Sequence, residues 1–203
     1  MSKAPNKRSL IWPFIIGIIL GITAKLVDVP AILFYFSIFD DIMGRFGIWV
    51  WTAAIIAILS KTPLLAAGRS FVFFIGMLFA YYGYTVRFLK FFPKSQMILW
   101  GGIAMVTPFC GFLIWHIHKN KGYANLIGSL PFIFFFTEWY LTAKDELLLF
   151  IAYLCMALSL LVVIPTNKKR IFSLLYGLLL SVILIGLVQA GIIVNLYDQL
   201  LNI

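Results

Sequence analysis

Residues 171–195 read IFSLLYGLLLSVILIGLVQAGIIVN, a run without a single Asp, Glu, Lys, Arg or His. A bilayer core of about 30 Å is crossed by about 20 helical residues, so this run is long enough to span one. Its apolar residues are continuous rather than alternating, which argues for a helix and against a barrel strand. Six more apolar runs precede it, at 10–27, 46–61, 70–87, 96–115, 124–143 and 147–165, with at most one charged residue in each. The expectation is an all-α, polytopic transmembrane helical bundle of about seven spans, six to eight being the limits, built as a single integral membrane domain over 1–203. Residues 29–44 are apolar but too short to span, and their charged end is Asp40-Asp41; they read as interfacial or re-entrant.

Composition agrees. Hydrophobic residues make up 63% of the 203 and charged residues 11%, against about 45–50% and about 25% in soluble domains. Mean hydropathy is +1.04. Such a chain lacks the polar surface to cover a water-exposed globule. Disordered, collagen-like, coiled-coil and disulfide-scaffold classes are excluded on the same grounds. The net charge of +9 would suggest nucleic acid in a soluble protein. Here the cations sit between apolar runs, so no nucleic-acid partner is implied and topology explains them first.

With the N-terminus in the cytoplasm and seven spans, the inner side carries Lys3, Lys7, Arg8, Lys61, Arg69, Lys119, Lys121, Lys168, Lys169 and Arg170, and no acid. The outer side carries Lys25, Arg45, Arg87, Lys90, Lys94 and Lys144 with Asp28, Asp40, Asp41, Asp145, Glu146 and Asp198. That asymmetry favours N-in, in a bacterial cytoplasmic membrane. Lys3, Lys7 and Arg8 before an apolar stretch resemble a signal peptide, with Ile22-Thr23-Ala24 as a cleavage site. Six runs follow, and Lys25 with Asp28 continues the helical pattern, so an uncleaved first span is the reading.

Small residues mark helix contacts in lipid. Gly17 and Gly21 form a GxxxG pair; Gly76, Ala80 and Gly83 share a side of the third run, Ala53, Ala54 and Ala57 of the second, and Gly186, Ala190 and Gly191 of the seventh. They read as packing within the chain or as a docking face for another membrane subunit. Cys110 and Cys155 read as small buried hydrophobes, without a metal motif or CxxC pair.

Polar groups inside the runs are the site candidates. Glu138 is an intramembrane carboxylate, costly unless paired or protonated, which makes it a ligand-binding or proton-handling group or else a helix-pairing acid. Thr137 and Tyr140 flank it. Asn125 and Ser129 share a helix face below Pro131, whose missing N–H frees a carbonyl. Lys25, Asp28, Asp40, Asp41 and Arg45 form a polar cluster by sequence, in which Lys25 and Asp28 are spaced to pair. Arg87, Lys90 and Lys94 interleave with Phe88, Phe91 and Phe92, suiting anionic headgroups or an anionic solute. His116 and His118 diverge on a helix. No motif for a nucleophile, metal or phosphate loop occurs, so no catalytic residue, metal or cofactor is assigned.

Gly17-x3-Gly21-x3-Lys25-x2-Asp28, Gly47-x-Trp49, Ser60-Lys61-x-Pro63-x2-Ala66, Gly76-Met77-x2-Ala80-Tyr81-Tyr82, Phe91-Phe92-Pro93 and Trp100 resemble an uncharacterised family of small polytopic membrane proteins of Gram-positive bacteria. That likeness covers the first half and transfers no activity. In size and helix count the chain also looks like the substrate-binding subunits of energy-coupling-factor vitamin transporters, which dock through small-residue faces such as Gly17 and Gly21 would provide; those have six spans. The leading expectation is a binding or transport subunit for a small solute or lipid. In it Glu138, Thr137 and Tyr140 meet the ligand, Arg87 and Lys90 attract an anion, and Asn125 and Ser129 line the inner half. Alternatives are a non-catalytic accessory or immunity protein acting through a partner, and an enzyme acting on a lipid-linked substrate with Asp40, Asp41 and Glu138 as acid–base groups.

Overall fold

The computed structural model describes residues 8–27, 41–43, 45–90, 92–118, 124–143, 145–162 and 167–191. Among them every regular element is helical. Seven helices have 13 residues or more: α1 Arg8–Val27, α2 Phe46–Ile58, α3 Pro63–Leu89, α4 Lys94–Trp115, α5 Ala124–Ala143, α6 Leu147–Leu161 and α7 Asn167–Gln189. A 3-10 turn, His116–His118, follows α4. Each helix falls on one of the seven apolar runs. Four are long and apolar enough to cross a membrane: α1, α3, α4 and α7. At 1.5 Å per residue α2 and α6 reach only about 20 and 22 Å. α2 is shorter than its apolar run because the chain turns at Ser60–Thr62 and restarts at Pro63. Pro63 takes the first helical position, and the Thr62 hydroxyl caps α3 by accepting the Leu65 N–H at 3.2 Å. α5 has the length, and Asn125, Ser129, Thr137 and Glu138 interrupt its apolar run. The 29–44 segment lies outside the described residues except for 41–43, as do Asp28 and Asp40.

The chain divides into two compact units, residues 1–119 and 120–203. In the first, α3 packs against α1, α2 and α4 and is more enclosed than α1 or α4, 44% of its apolar stretch being buried against 22% and 17%. Contacts advance together along α1 and α3, from Leu10 at Gly68 to Lys25 at Tyr81, so the two helices run parallel. Phe46 stacks on Trp100 at one end of α2 (4.3 Å between centroids), and Trp115 bonds Ser60 at the other, so α2 and α4 also run parallel. The core joins Ala24, Trp49, Ala53, Ile56, Phe73, Phe74, Met77 and Ala104.

α1 meets α3 backbone to backbone. A Cβ on Gly17 would collide with the Phe73 carbonyl, one on Gly21 would lie 2.6 Å from the Met77 carbonyl oxygen and 3.2 Å from Ala80 Cβ, and one on Gly76 would lie 2.5 Å from the Phe14 carbonyl oxygen. The opposite stripe of α1, Ile11, Ile15, Ile19, Ile22 and Leu26, is exposed. Small residues inside and large apolar ones outside invert the soluble-helix pattern and suit a lipid surround. Gly83 and Gly186, read as packing within the chain or as a docking face for another subunit, have no neighbour within 4 Å of an added Cβ. Cys110 and Cys155, expected to be buried, are exposed. When the surroundings are as apolar as the core, a small thiol gains nothing by turning inward.

α3 and α4 close on Gly111, where an added Cβ would meet Ser70 Oγ at 2.5 Å and the Ala66 carbonyl at 3.0 Å. Gly111→Ala should cost about 2 kcal/mol. Adding Ser70→Ala should return about 1 kcal/mol of that in a double-mutant cycle read by unfolding in detergent. Pro108 removes the N–H that would bond the Ala104 carbonyl, and the Thr107 hydroxyl donates to that same oxygen at 2.7 Å.

In the second unit α5 packs against both α6 and α7. α6 runs antiparallel to α5, through Trp139 on Phe150 (4.7 Å) and Phe135 near Tyr153 (6.1 Å). α7 runs parallel to it, from Ser173 at Asn125 to Gln189 at Tyr140. Both units thus pair a helix in parallel with the next but one. The central helix is the last of three in α1–α3 and the first in α5–α7, so the two trios are not copies of one arrangement.

Candidate functional site

The polar residues of α5 resolve into two clusters. At the start of the helix Ser129 is fully buried and donates to the Leu126 carbonyl at 2.7 Å. Fully buried Ser173 of α7 donates to the Asn125 carbonyl at 3.0 Å. Asn125 Oδ1 is buried with no hydrogen bond among the described residues. At the far end the Gln189 amide donates to the Tyr140 hydroxyl at 2.8 Å, and the Thr142 hydroxyl donates to the Glu138 carbonyl at 2.7 Å. The Glu138 side chain is half-buried. Thr137 Oγ1 and Trp139 Nε1 are buried with no hydrogen bond among the described residues. Fifteen residues separate Asn125 from Tyr140, or about 22 Å of helix. The α5 candidates therefore fall toward two ends of the helix, and Asn125, Ser129 and Tyr140 are the ones on its α7 side.

α7 supplies what the sequence reading missed. Ser173, Gly177 and Ser181 recur every fourth residue, all are buried, and an added Cβ on Gly177 would lie 2.5 Å from Phe132 Cβ. The signal was present as Ser173-x3-Gly177-x3-Ser181. Between α5 and α6 an indentation lined by Phe135, Phe136, Trp139, Phe150 and Tyr153 has no room for a water molecule.

The remaining candidates belong to the first unit. Arg87 and Lys90 are exposed at the end of α3, and Arg87 lies 5.9 Å from the Phe88 ring. Lys90 adopts φ 51, turning the chain toward α4. Lys25 donates to the Tyr81 hydroxyl at 3.4 Å and sits over its ring at 4.8 Å. Asp41 and Arg45 are half-buried, Arg45 immediately preceding α2. The Gly17 and Gly21 face is filled by α3, so docking of another subunit needs a different surface. Among the described residues no three His, Cys, Asp or Glu side chains gather as metal ligands.

The opposite end of the first unit holds a cluster that no sequence pattern announces. Arg69 donates from Nη1 to Ser60 Oγ at 3.3 Å, and its guanidinium lies 5.1 Å from the Trp12 ring centroid. Ser60, 5% exposed, donates to the Ile56 carbonyl at 2.8 Å. The Trp115 indole N–H donates to the Ser60 carbonyl at 2.7 Å. Four helices, or their immediate ends, meet in this knot.

No family model, curated protein or solved structure matches the chain.

Proposed function

We propose that the protein is a multi-pass membrane protein of seven spans, N-terminus cytoplasmic, that serves as a binding or transport subunit for a small solute or lipid. The observation that carries this reading is the α5–α7 seam. Ser173 of α7 bonds the Asn125 carbonyl near one end of α5, beside buried Ser129, and Gln189 of α7 bonds Tyr140 near the other, with Thr137 and Glu138 within a turn of Tyr140 along α5. Polar groups inside apolar spans are costly in lipid and mark ligand or ion paths more often than surface polar groups do. α2 and α6 complete seven spans by drawing on flanking residues and local thinning of the bilayer.

Native mass spectrometry of protein gently extracted from its own membrane tests the reading. A stoichiometric small molecule or lipid, or a second membrane subunit, is the expected companion. Glu138→Gln should weaken binding of that molecule, or its flux, by about tenfold, the scale of one charge-assisted hydrogen bond. Asp145→Asn, at the exposed turn between α5 and α6, should leave it unchanged. Equal losses in the two variants would remove Glu138 from the site.

A further inference from the structure

We infer that the Arg69 knot is a binding niche for the phosphate of an anionic lipid headgroup. The inference stands apart from the α5–α7 seam and does not need it.

Three observations converge. The first is preorganisation. The Arg69 guanidinium is held from the side by Ser60 and lies over the Trp12 ring, while the Trp115 bond fixes the Ser60 backbone. A planar fork fixed in this way suits a phosphate oxygen pair and loses little freedom on binding. The second is depth. Arg69 lies six residues into α3, about 9 Å from the helix start, and is half-buried. A long cationic side chain at that depth lies where acyl chains meet headgroups, with tryptophans beside it as an interfacial belt provides. The third is charge. From residue 42 to residue 137 the sequence contains no Asp or Glu. The acids of the first unit, Asp28, Asp40 and Asp41, stand in the segment between the end of α1 and the start of α2. The parallel course of α1 and α3 puts Lys25, near the end of α1, at Tyr81, away from Arg69. Lys61, exposed beside Ser60, adds a second cation. Basic recesses between spans on the cytoplasmic side are where anionic headgroups bind.

The test is the thermal unfolding of the full chain in detergent micelles doped with phosphatidylglycerol, phosphatidylcholine or inorganic phosphate. Phosphatidylglycerol should raise Tm by about 5 °C over phosphatidylcholine. Arg69→Gln should abolish that increment and Lys61→Gln should reduce it. Inorganic phosphate without effect identifies the lipid as the source. Inorganic phosphate matching phosphatidylglycerol, with the response lost in Arg69→Gln, keeps the phosphate niche and assigns it to the free ion. A merely structural knot predicts a lower Tm for Arg69→Gln with an undiminished lipid increment, and that result overturns the proposal. If Arg69→Gln does not fold, an undiminished increment in Lys61→Gln overturns it instead.

Discussion

Gly17→Ala should unfold in detergent with a loss of about 3 kcal/mol, the upper end for overpacking. The added methyl points at the Phe73 carbonyl and at the Met77 backbone nitrogen 2.9 Å away. Neither neighbour is the end of a flexible side chain, so α1 must move off α3 along its length. Gly83→Ala is the matched control. Nothing lies within 4 Å of the added Cβ there, and alanine favours a helix over glycine by roughly 0.5–1 kcal/mol. Opposite signs at two glycines of equal hydropathy are the expected result, read as unfolding midpoints in a common detergent. A Gly17→Ala protein as stable as the parent would mean that α1 does not pack on α3 in this register.

Gly177→Ala should cost about 2 kcal/mol and reach the polar seam as well. Its methyl would lie 2.5 Å from Phe132 Cβ, an atom anchored to the α5 backbone, and 3.4 Å from the Ser129 carbonyl oxygen. Parting α5 from α7 would loosen both polar pairs, Ser173 with Asn125 and Gln189 with Tyr140. Amide exchange along α5 and α7 should rise, and ligand binding should fall with it. Gly186→Ala, on the same helix with open space around it, should do neither. If Gly177→Ala loses stability while retaining full binding, the seam is structural and the ligand lies elsewhere.

The candidate site was partly legible. Asn125, Ser129, Thr137, Glu138 and Tyr140 stand out in the sequence because a polar residue inside an apolar run is costly. Their division into two clusters, whose outermost members lie about 22 Å apart, follows from helical rise. Their α7 partners do not follow from it. Ser173 and Gln189 become relevant only once α7 is known to run parallel to α5. In the sequence Arg69 is a topology charge, and residues 12, 60, 69 and 115 have no spacing that would join them.

The sequence by itself determined the class of the protein and the positions of its helices. Each helix lies on an apolar run because a long apolar segment must satisfy its backbone hydrogen bonds internally, wherever its side chains point. Sequence did not determine which face of a helix turns inward. In water an amphipathic stripe reports that. In lipid every face is apolar, so Gly17 and Gly83, or Ser173 and Cys155, carry no label. What separates them is close fit: whether a neighbouring backbone approaches so near that a methyl cannot enter. Only the tertiary structure decides that, because contact distances depend on how two helices cross, and nothing in hydropathy encodes the crossing.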